Sequence, residues 1–242
     1  MDGTPGDSGW KIKAGQRIAL LADYSKIPKI YALDIPVLYE DEHVAVLNKP
    51  AGLVVSGNEY RTLYNALGHN ISKSVLPDAL PYPTPCHRLD KATSGCLIVA
   101  KTKRAQIEIG NQFVQKKIQK EYVAIVHGEI EKSGNIQTPI NNQAAGSSYS
   151  LIEKVETASG EFWSLVHLYP HTGRTHQLRI HCSAIGHPIL GDKLYGTEGN
   201  TLLHKGLFLC AREVRFDIAG QEKRIALDLP NKFSRIIRLV KK

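Results

Sequence analysis

The chain has 242 residues, 31 Lys plus Arg against 23 Asp plus Glu, a formal net charge of +8 and a pI near 9.2. That length fits one large domain, or one domain with a small appendage, and allows a substantial core. The basic excess suits a polyanion such as RNA and favours that reading slightly over a merely solubilising surface. No apolar run approaches the roughly 20 residues a membrane-spanning helix needs, which argues against a transmembrane protein.

Cys86, Cys96, Cys182 and Cys210 form no C-x-x-C pair and the N-terminus carries no apolar signal core, so reduced thiols in a cytoplasmic protein are expected. Residues 1–9 are rich in Gly, Asp, Ser and Thr and have little to bury. Residues 10–20 read as a Gly-containing turn leading into a short strand, and 23–36, with Pro28 and Pro36, as a linker or surface strand. An N-terminal extension over 1–35 followed by a main domain over 36–242 is the expected division.

Val37–Glu40 and Val44–Leu47 make two strands about an Asp41-Glu42 turn, closed by Lys49-Pro50-Ala51-Gly52. Leu63, Ala66 and Leu67 mark a short helix within 62–71. Pro77, Pro81, Pro83 and Pro85 then forbid a helix and hold the approach to His87 extended. His87-Arg88-Leu89-Asp90-Lys91-Ala92-Thr93-Ser94-Gly95 precedes the apolar run Cys96–Ala100, which reads as a buried strand with Asp90 at its entrance. Arg88 and Lys91 flank Asp90 and favour its ionised form, as a nucleophile or general base requires. A structural Arg88–Asp90 ion pair before an ordinary turn is the alternative.

Thr102 is a suitable N-cap for a helix over 103–117 with Ile107, Val114 and Ile118 on its buried face. Lys116, Lys117 and Lys120 at its end complement the helix dipole or touch phosphate. Residues 121–128 form a β-branched and aromatic strand, and 133–150, rich in Gly, Asn, Ser and Gln, are mostly loop. Strands over 150–157 and 161–168 lead to His171-Thr172-Gly173-Arg174-Thr175-His176-Gln177-Leu178-Arg179. Leu178, Cys182 and Ile185 are the buried stripe of a helix there, with Arg179 just off it. Arg174 stands near the helix N-terminus, where a cation opposes the dipole and calls for an anionic partner. Two strands over 207–211 and 215–229 and a basic helix over 232–242 close the chain.

Five histidines between His167 and His187 raise a metal site, but no H-E-x-x-H is present, Pro170 breaks the His167/His171 pair, and His176 and His181 face different ways on a helix. No metal and no organic cofactor are expected.

His-Arg-Leu-Asp-x-x-Thr-Ser-Gly at 87–95 resembles the catalytic segment of the RluA-type pseudouridine synthases, which isomerise uridine to pseudouridine in structured RNA. Lys49-Pro50-x-Gly52, Lys120-x-Tyr122-x-Ala124-x-x-x-Gly128, and Gly173-Arg174-Thr175-His176-Gln177-Leu178-Arg179 followed by Gly186-His187-Pro188-Ile189-Leu190-Gly191-Asp192 are similar to further segments of that family. The resemblance implies an α+β fold: a large mixed, mostly antiparallel sheet with flanking helices and a central cleft. It implies that Asp90, Tyr122 and Arg179 are catalytic, with Arg179 paired to Asp90 and Tyr122 packed on the uracil. Arg88, His87, Arg174, Thr175, His176 and Lys49 would bind substrate, Arg88 filling the gap left by a flipped base. Residues 10–20 look like the last hairpin of an S4 RNA-binding module, or are a plain edge hairpin. Many relatives carry His where this chain has Cys210, which leaves that position without an assigned role. A monomer acting on ribosomal or transfer RNA is expected; an RNA-binding protein without chemistry and a histidine-based metallohydrolase are the alternatives.

Overall fold

A computed structural model describes residues 14–15, 27–196 and 205–240. Apart from Ala14 and Gly15, the S4-like hairpin falls outside the described residues. The chain forms β1 (Val37–Glu40), β2 (Val44–Lys49), α1 (Leu63–Asn70), β3 (Ala79–Pro85), β4 (Ser94–Thr102), α2 (Lys103–Val114), β5 (Gln119–His127) and β6 (Ser133–Ile136). It continues as β7 (Ser147–Glu156), β8 (Phe162–Pro170), α3 (Gln177–Ala184), β9 (Leu209–Ile218), β10 (Gln221–Ala226) and α4 (Asn231–Val240). Ten strands make one sheet in the order β1-β2-β4-β9-β5-β8-β7-β6, with β10 on β9 and β3 on β4. The β4–β9 pairing is parallel and the others antiparallel, so the fold is the α+β, mostly antiparallel sheet expected.

Strand alternation divides the core into four clusters, two on each half of the sheet. Ala45, Leu47, Leu97 and Val99 face α1, while Val44, Val46, Cys96 and Ile98 cluster with Ala105 and Ile109 of α2. In the other half Ala124, Val126, Val166 and Leu168 meet Leu178 and Cys182 of α3, and Val123, Ile125, Phe208 and Cys210 meet Phe233 and Ile237 of α4. Both faces are covered, so the central strands can be apolar throughout.

The two halves join where β4 runs beside β9, Gly95 opposite Ala211. Gly95 has φ +116°, and a Cβ there would sit 2.2 Å from the Ala211 carbonyl oxygen. Only glycine permits this approach. It lies five residues beyond Asp90 and sets where that loop leaves the sheet.

α1 begins at Thr62, whose Oγ1 accepts from Asn65 N–H, and buries the expected Leu63, Ala66 and Leu67. The segment before β1 is bound to it: Asn70 donates to the Leu33 carbonyl and accepts from Ile35 N–H, and Ile35 is buried. α2 begins at Thr102 as expected but buries another face. Ala105, Ile109 and Gln112 are inside, whereas Ile107 is 53% and Val114 82% exposed. The Ile107/Val114 stripe therefore faces outward, and Gln112 turns inward instead to bond both backbone groups of Asp217.

α2 also ends earlier than expected. Lys116 takes φ 56°, its N–H reaching Phe113 O and that of Lys117 reaching Gln112 O, a Schellman ending that returns the chain into β5. Within 133–150, expected to be loop, β6 pairs with β7, and β7 starts at Ser147. Gly134, a turn signal in sequence, instead makes room for Tyr149, whose hydroxyl would lie 2.6 Å from a Cβ there.

Candidate active site

Between the α1 and α3 clusters, at the joint of the sheet, lies an open cleft of about 260 Å³. Its walls come from 87–93, the start of β5, the loop 170–176 and the first turn of α3, so the two longest sequence motifs converge there. Asp90 is the single carboxylate lining it among the described residues, alongside Arg88, Lys120, Arg174 and Arg179.

The Asp90 loop is held from three sides. Leu89 is buried in the α1 cluster, Thr93 N–H bonds the Asp90 carbonyl, and Gly52 N–H donates to the Lys91 carbonyl at 2.7 Å. His87 lines the cleft, but its Nε2 accepts from Ile98 N–H at 3.0 Å and its ring lies 5.1 Å from that of Phe113. Burial, aided by the Lys120 charge, lowers its pKa to about 4, so it serves as a neutral tether of the loop to β4. His87 thus lines the cleft and at the same time ties the Asp90 loop to β4.

Lys49 departs furthest from expectation. It does not line the cleft: it is wholly enclosed, donating Nζ to the carbonyls of Pro50, Leu53 and Lys91 at 2.9, 2.7 and 3.4 Å. Burial lowers its pKa to about 8 despite the opposing pull of Asp90. It supports the Asp90 loop from beneath and has no surface for a substrate.

Tyr122 stands on β5 against both the α1 and α3 clusters and lines the cleft beside Asp90. Burial and the Asp90 charge raise its phenol pKa, so the ring is a neutral aromatic wall. Lys120, two residues earlier and on the same face, is partly buried, which lowers its pKa. Leu209 of β9 and Phe113 of α2 complete the apolar lining.

Arg179 reaches the cleft, but its expected pairing with Asp90 is replaced by another. Its Nε and Nη2 donate to Asp192 Oδ2 and Oδ1 at 2.7 and 2.6 Å, a two-pronged buried pair. Burial works against both charges and the mutual bonds outweigh it, so Asp192 is held below and Arg179 above its ordinary pKa, Asp90 adding a smaller pull on Arg179. The side chain closest to the Asp90 carboxylate among the ion pairs is His176, with Nε2 3.9 Å from Oδ1. His176 occupies the N-cap of α3 at φ 56° and its Nδ1 lies 3.0 Å from the Tyr195 hydroxyl.

Gln177 fixes the loop carrying these residues. Its Oε1 accepts from Thr172 Oγ1 and Arg174 N–H, and its Nε2 donates to Gly146 O and Ser147 Oγ, which ties 172–177 to β7. Arg174 and Thr175 remain exposed at the mouth, as does Arg88. Arg174 Nε reaches the Ala144 carbonyl at 3.3 Å.

The other histidines of the run have separate neighbours: His167 meets Glu121, His171 meets Ser148, His181 lies between Ser147 and Thr138, and His187 meets the His127 carbonyl. No cluster of three or more His, Cys, Asp or Glu side chains able to hold a metal occurs among the described residues, and no helix among them is long and apolar enough to cross a membrane. Cys210 packs with Phe208 under α4, on the opposite side of β9 from Leu209, and so stands away from the cleft.

Asp192, Tyr195 and Gln177 carry no role in the sequence reading, although Gln177 and Asp192 lie inside motif blocks. A cationic Arg179 beside a buried helical stripe was the available signal, since a buried guanidinium demands a carboxylate.

This sheet is that of the RNA pseudouridylate synthases. The model of that family matches residues 43–184, and the chain belongs to it. Among curated relatives it is 38% identical to ribosomal large subunit pseudouridine synthase D of Nitrosomonas europaea, over 77% of this chain and 58% of that protein. It is 34% identical to an uncharacterized RNA pseudouridine synthase of Aquifex aeolicus, over 79% of this chain and 66% of that protein. The chain thus spans about three fifths of the length of such relatives. Among solved structures, human RNA pseudouridylate synthase domain containing 1 and domain containing 4 each give a TM-score of 0.67, at 26% and 25% identity. The first is matched over 81% of this chain and 83% of its own, the second over 84% and 92%.

Proposed function

We propose that the protein is an RNA pseudouridine synthase that isomerises uridines in structured RNA with Asp90 as the catalytic carboxylate. The observation that carries this reading is the lone cleft carboxylate against Tyr122, ringed by Arg88, Lys120 and Arg174. The reaction breaks the bond from ribose C1′ to uracil N1 and forms one from C1′ to C5; C5 loses a proton and N1 gains one. Asp90 is the nucleophile or general base, Tyr122 stacks on the uracil, and Arg179 supplies a fixed positive field rather than a direct partner. A uridine must leave its helix to reach the cleft, at a cost of a few kcal/mol. Phosphate contacts from the exposed Arg88 and Arg174 offset this, and Arg88 is placed to fill the vacated position.

Large-subunit ribosomal RNA is the first substrate to examine, because the Nitrosomonas europaea relative is a ribosomal large subunit pseudouridine synthase; transfer RNA is the second. Comparing pseudouridine maps of both RNAs from wild-type and deletion strains tests this. One or more ribosomal sites should revert to uridine on deletion and return with the gene. Unchanged maps in both RNAs would refute the reading.

A further inference from the structure

Among the described residues no cation is hydrogen-bonded to Asp90, and the Arg179 guanidinium is committed to Asp192. The one side chain that approaches the Asp90 carboxylate in an ion-pair geometry among the described residues is His176, and that imidazole is itself gripped from behind. We infer that His176 and Tyr195 are positioning residues for Asp90: the Tyr195 hydroxyl donates to His176 Nδ1, leaving the proton on Nε2, where it is directed at the carboxylate. The inference rests on the functional reading above and assigns the orientation of its central group.

A carboxylate only accepts hydrogen bonds, so the nitrogen that faces it is best placed when it carries the proton. The 3.0 Å contact from Tyr195 to Nδ1 accommodates the same tautomer, because a hydroxyl can donate to the lone pair that Nδ1 then exposes. At 3.9 Å the Nε2–Oδ1 contact needs to close by under an ångström to become a hydrogen bond.

The support extends one shell further. Asp192 Oδ1 accepts from Leu194 and Tyr195 N–H, Tyr195 O accepts from Ser183 Oγ at 2.8 Å, and Arg179 lies 5.0 Å from the Tyr195 ring centroid. The buried Arg179–Asp192 pair therefore seats Tyr195, Tyr195 seats His176, and His176 aims Asp90. The left-handed backbone of His176 fits this assignment. A non-glycine residue at φ 56° is uncommon, and there it turns the imidazole into the cleft as its side chain makes no cap for α3.

The test uses the full chain with His176→Gln, His176→Asn and Tyr195→Phe, beside wild type and Asp90→Asn. Asn tolerates the left-handed backbone but is too short to reach Asp90, whereas the Gln amide places a donor near the position of Nε2. Melting curves confirm folding; RNA affinity and single-turnover rate at saturating RNA are then measured. His176→Asn should lower the rate about 100-fold and Tyr195→Phe about 10-fold, with affinity within twofold of wild type, and His176→Gln should recover at least tenfold over His176→Asn. A rate for His176→Asn within threefold of wild type, equal rates for the Asn and Gln variants, or a loss confined to affinity would overturn the inference.

Nitrogen-15 NMR of His176 in the RNA-free protein gives a readout independent of turnover. The Nε2–H tautomer should dominate in wild type and fall in population in Tyr195→Phe. If wild type makes no pseudouridine, the functional reading fails, yet the tautomer still decides the positioning claim, and a dominant Nδ1–H form would overturn it.

Discussion

Gly95→Ala probes the joint on which the site depends. The new methyl group would meet the Ala211 carbonyl oxygen at 2.2 Å and its carbonyl carbon and nitrogen at 2.7 Å, all backbone atoms that cannot rotate aside. A non-glycine residue forced to φ +116° costs about 1–3 kcal/mol. Overpacking adds about 1–3 kcal/mol. The expected loss is therefore about 4 kcal/mol, a fall in Tm of roughly 8–16 °C for a domain of this size. Gly160→Ala is the matched control, because Gly160 also has positive φ, +79°, but a Cβ there meets nothing within 4 Å. Urea unfolding of both variants separates the backbone cost from the collision. A Gly95→Ala loss no larger than that of Gly160→Ala would refute the claim that the two half-sheets are in obligatory contact at this residue.

Asp192→Asn removes one partner of a buried ion pair and should cost about 3–5 kcal/mol at neutral pH. Because the folded-state pKa of Asp192 is depressed, this contribution is present above about pH 4 and is lost as pH falls through the folded value, so acid unfolding curves of wild type and variant should converge; curves that stay parallel would refute it. Lys49, with its pKa lowered to about 8 from 10.5, binds fewer protons folded than unfolded between those values. Its contribution to stability therefore rises by roughly 3 kcal/mol across that window, and the stability difference between wild type and Lys49→Met should climb with pH accordingly; a flat difference would show that Lys49 is not buried as a cation. Affinity for structured RNA should fall with salt, with a slope of log K against log[salt] of about −0.7 to −0.9 per phosphate neutralised. A flat response would mean the +8 charge merely solubilises the chain.

Most strands were legible because short apolar runs such as Cys96–Ala100 and Val123–Val126, rich in β-branched residues and bounded by turn residues or polar segments, are buried on both faces of the sheet. The caps Thr62 and Thr102 were legible for a local reason, as each side chain bonds a backbone N–H three residues on. What failed depended on partners distant in sequence. The buried face of α2 is set by Gln112 reaching Asp217, and β6 exists because Gly134 admits Tyr149, neither of which has a local signature. The site divides in the same way. Asp90, Tyr122 and Arg179 were identified by motif resemblance and do line one cleft. Periodicity and charge pattern carry no information on which carboxylate Arg179 would choose, so Asp192 and the His176–Tyr195 contact emerged only from the folded arrangement. Lys49 shows the converse: a motif lysine reads as a ligand in sequence, while three carbonyls claim it in the fold.

The central claim, that the Asp90 carboxylate carries out the isomerisation, is tested most directly by tritium release. RNA labelled at uracil C5 must lose its label when C5 becomes the glycosidic carbon. Wild-type protein should release tritium in step with pseudouridine formation. Asp90→Asn, which keeps the side-chain volume but loses the charge, should release none while binding the same RNA with similar affinity. Turnover by the Asn variant at a measurable rate would contradict the account.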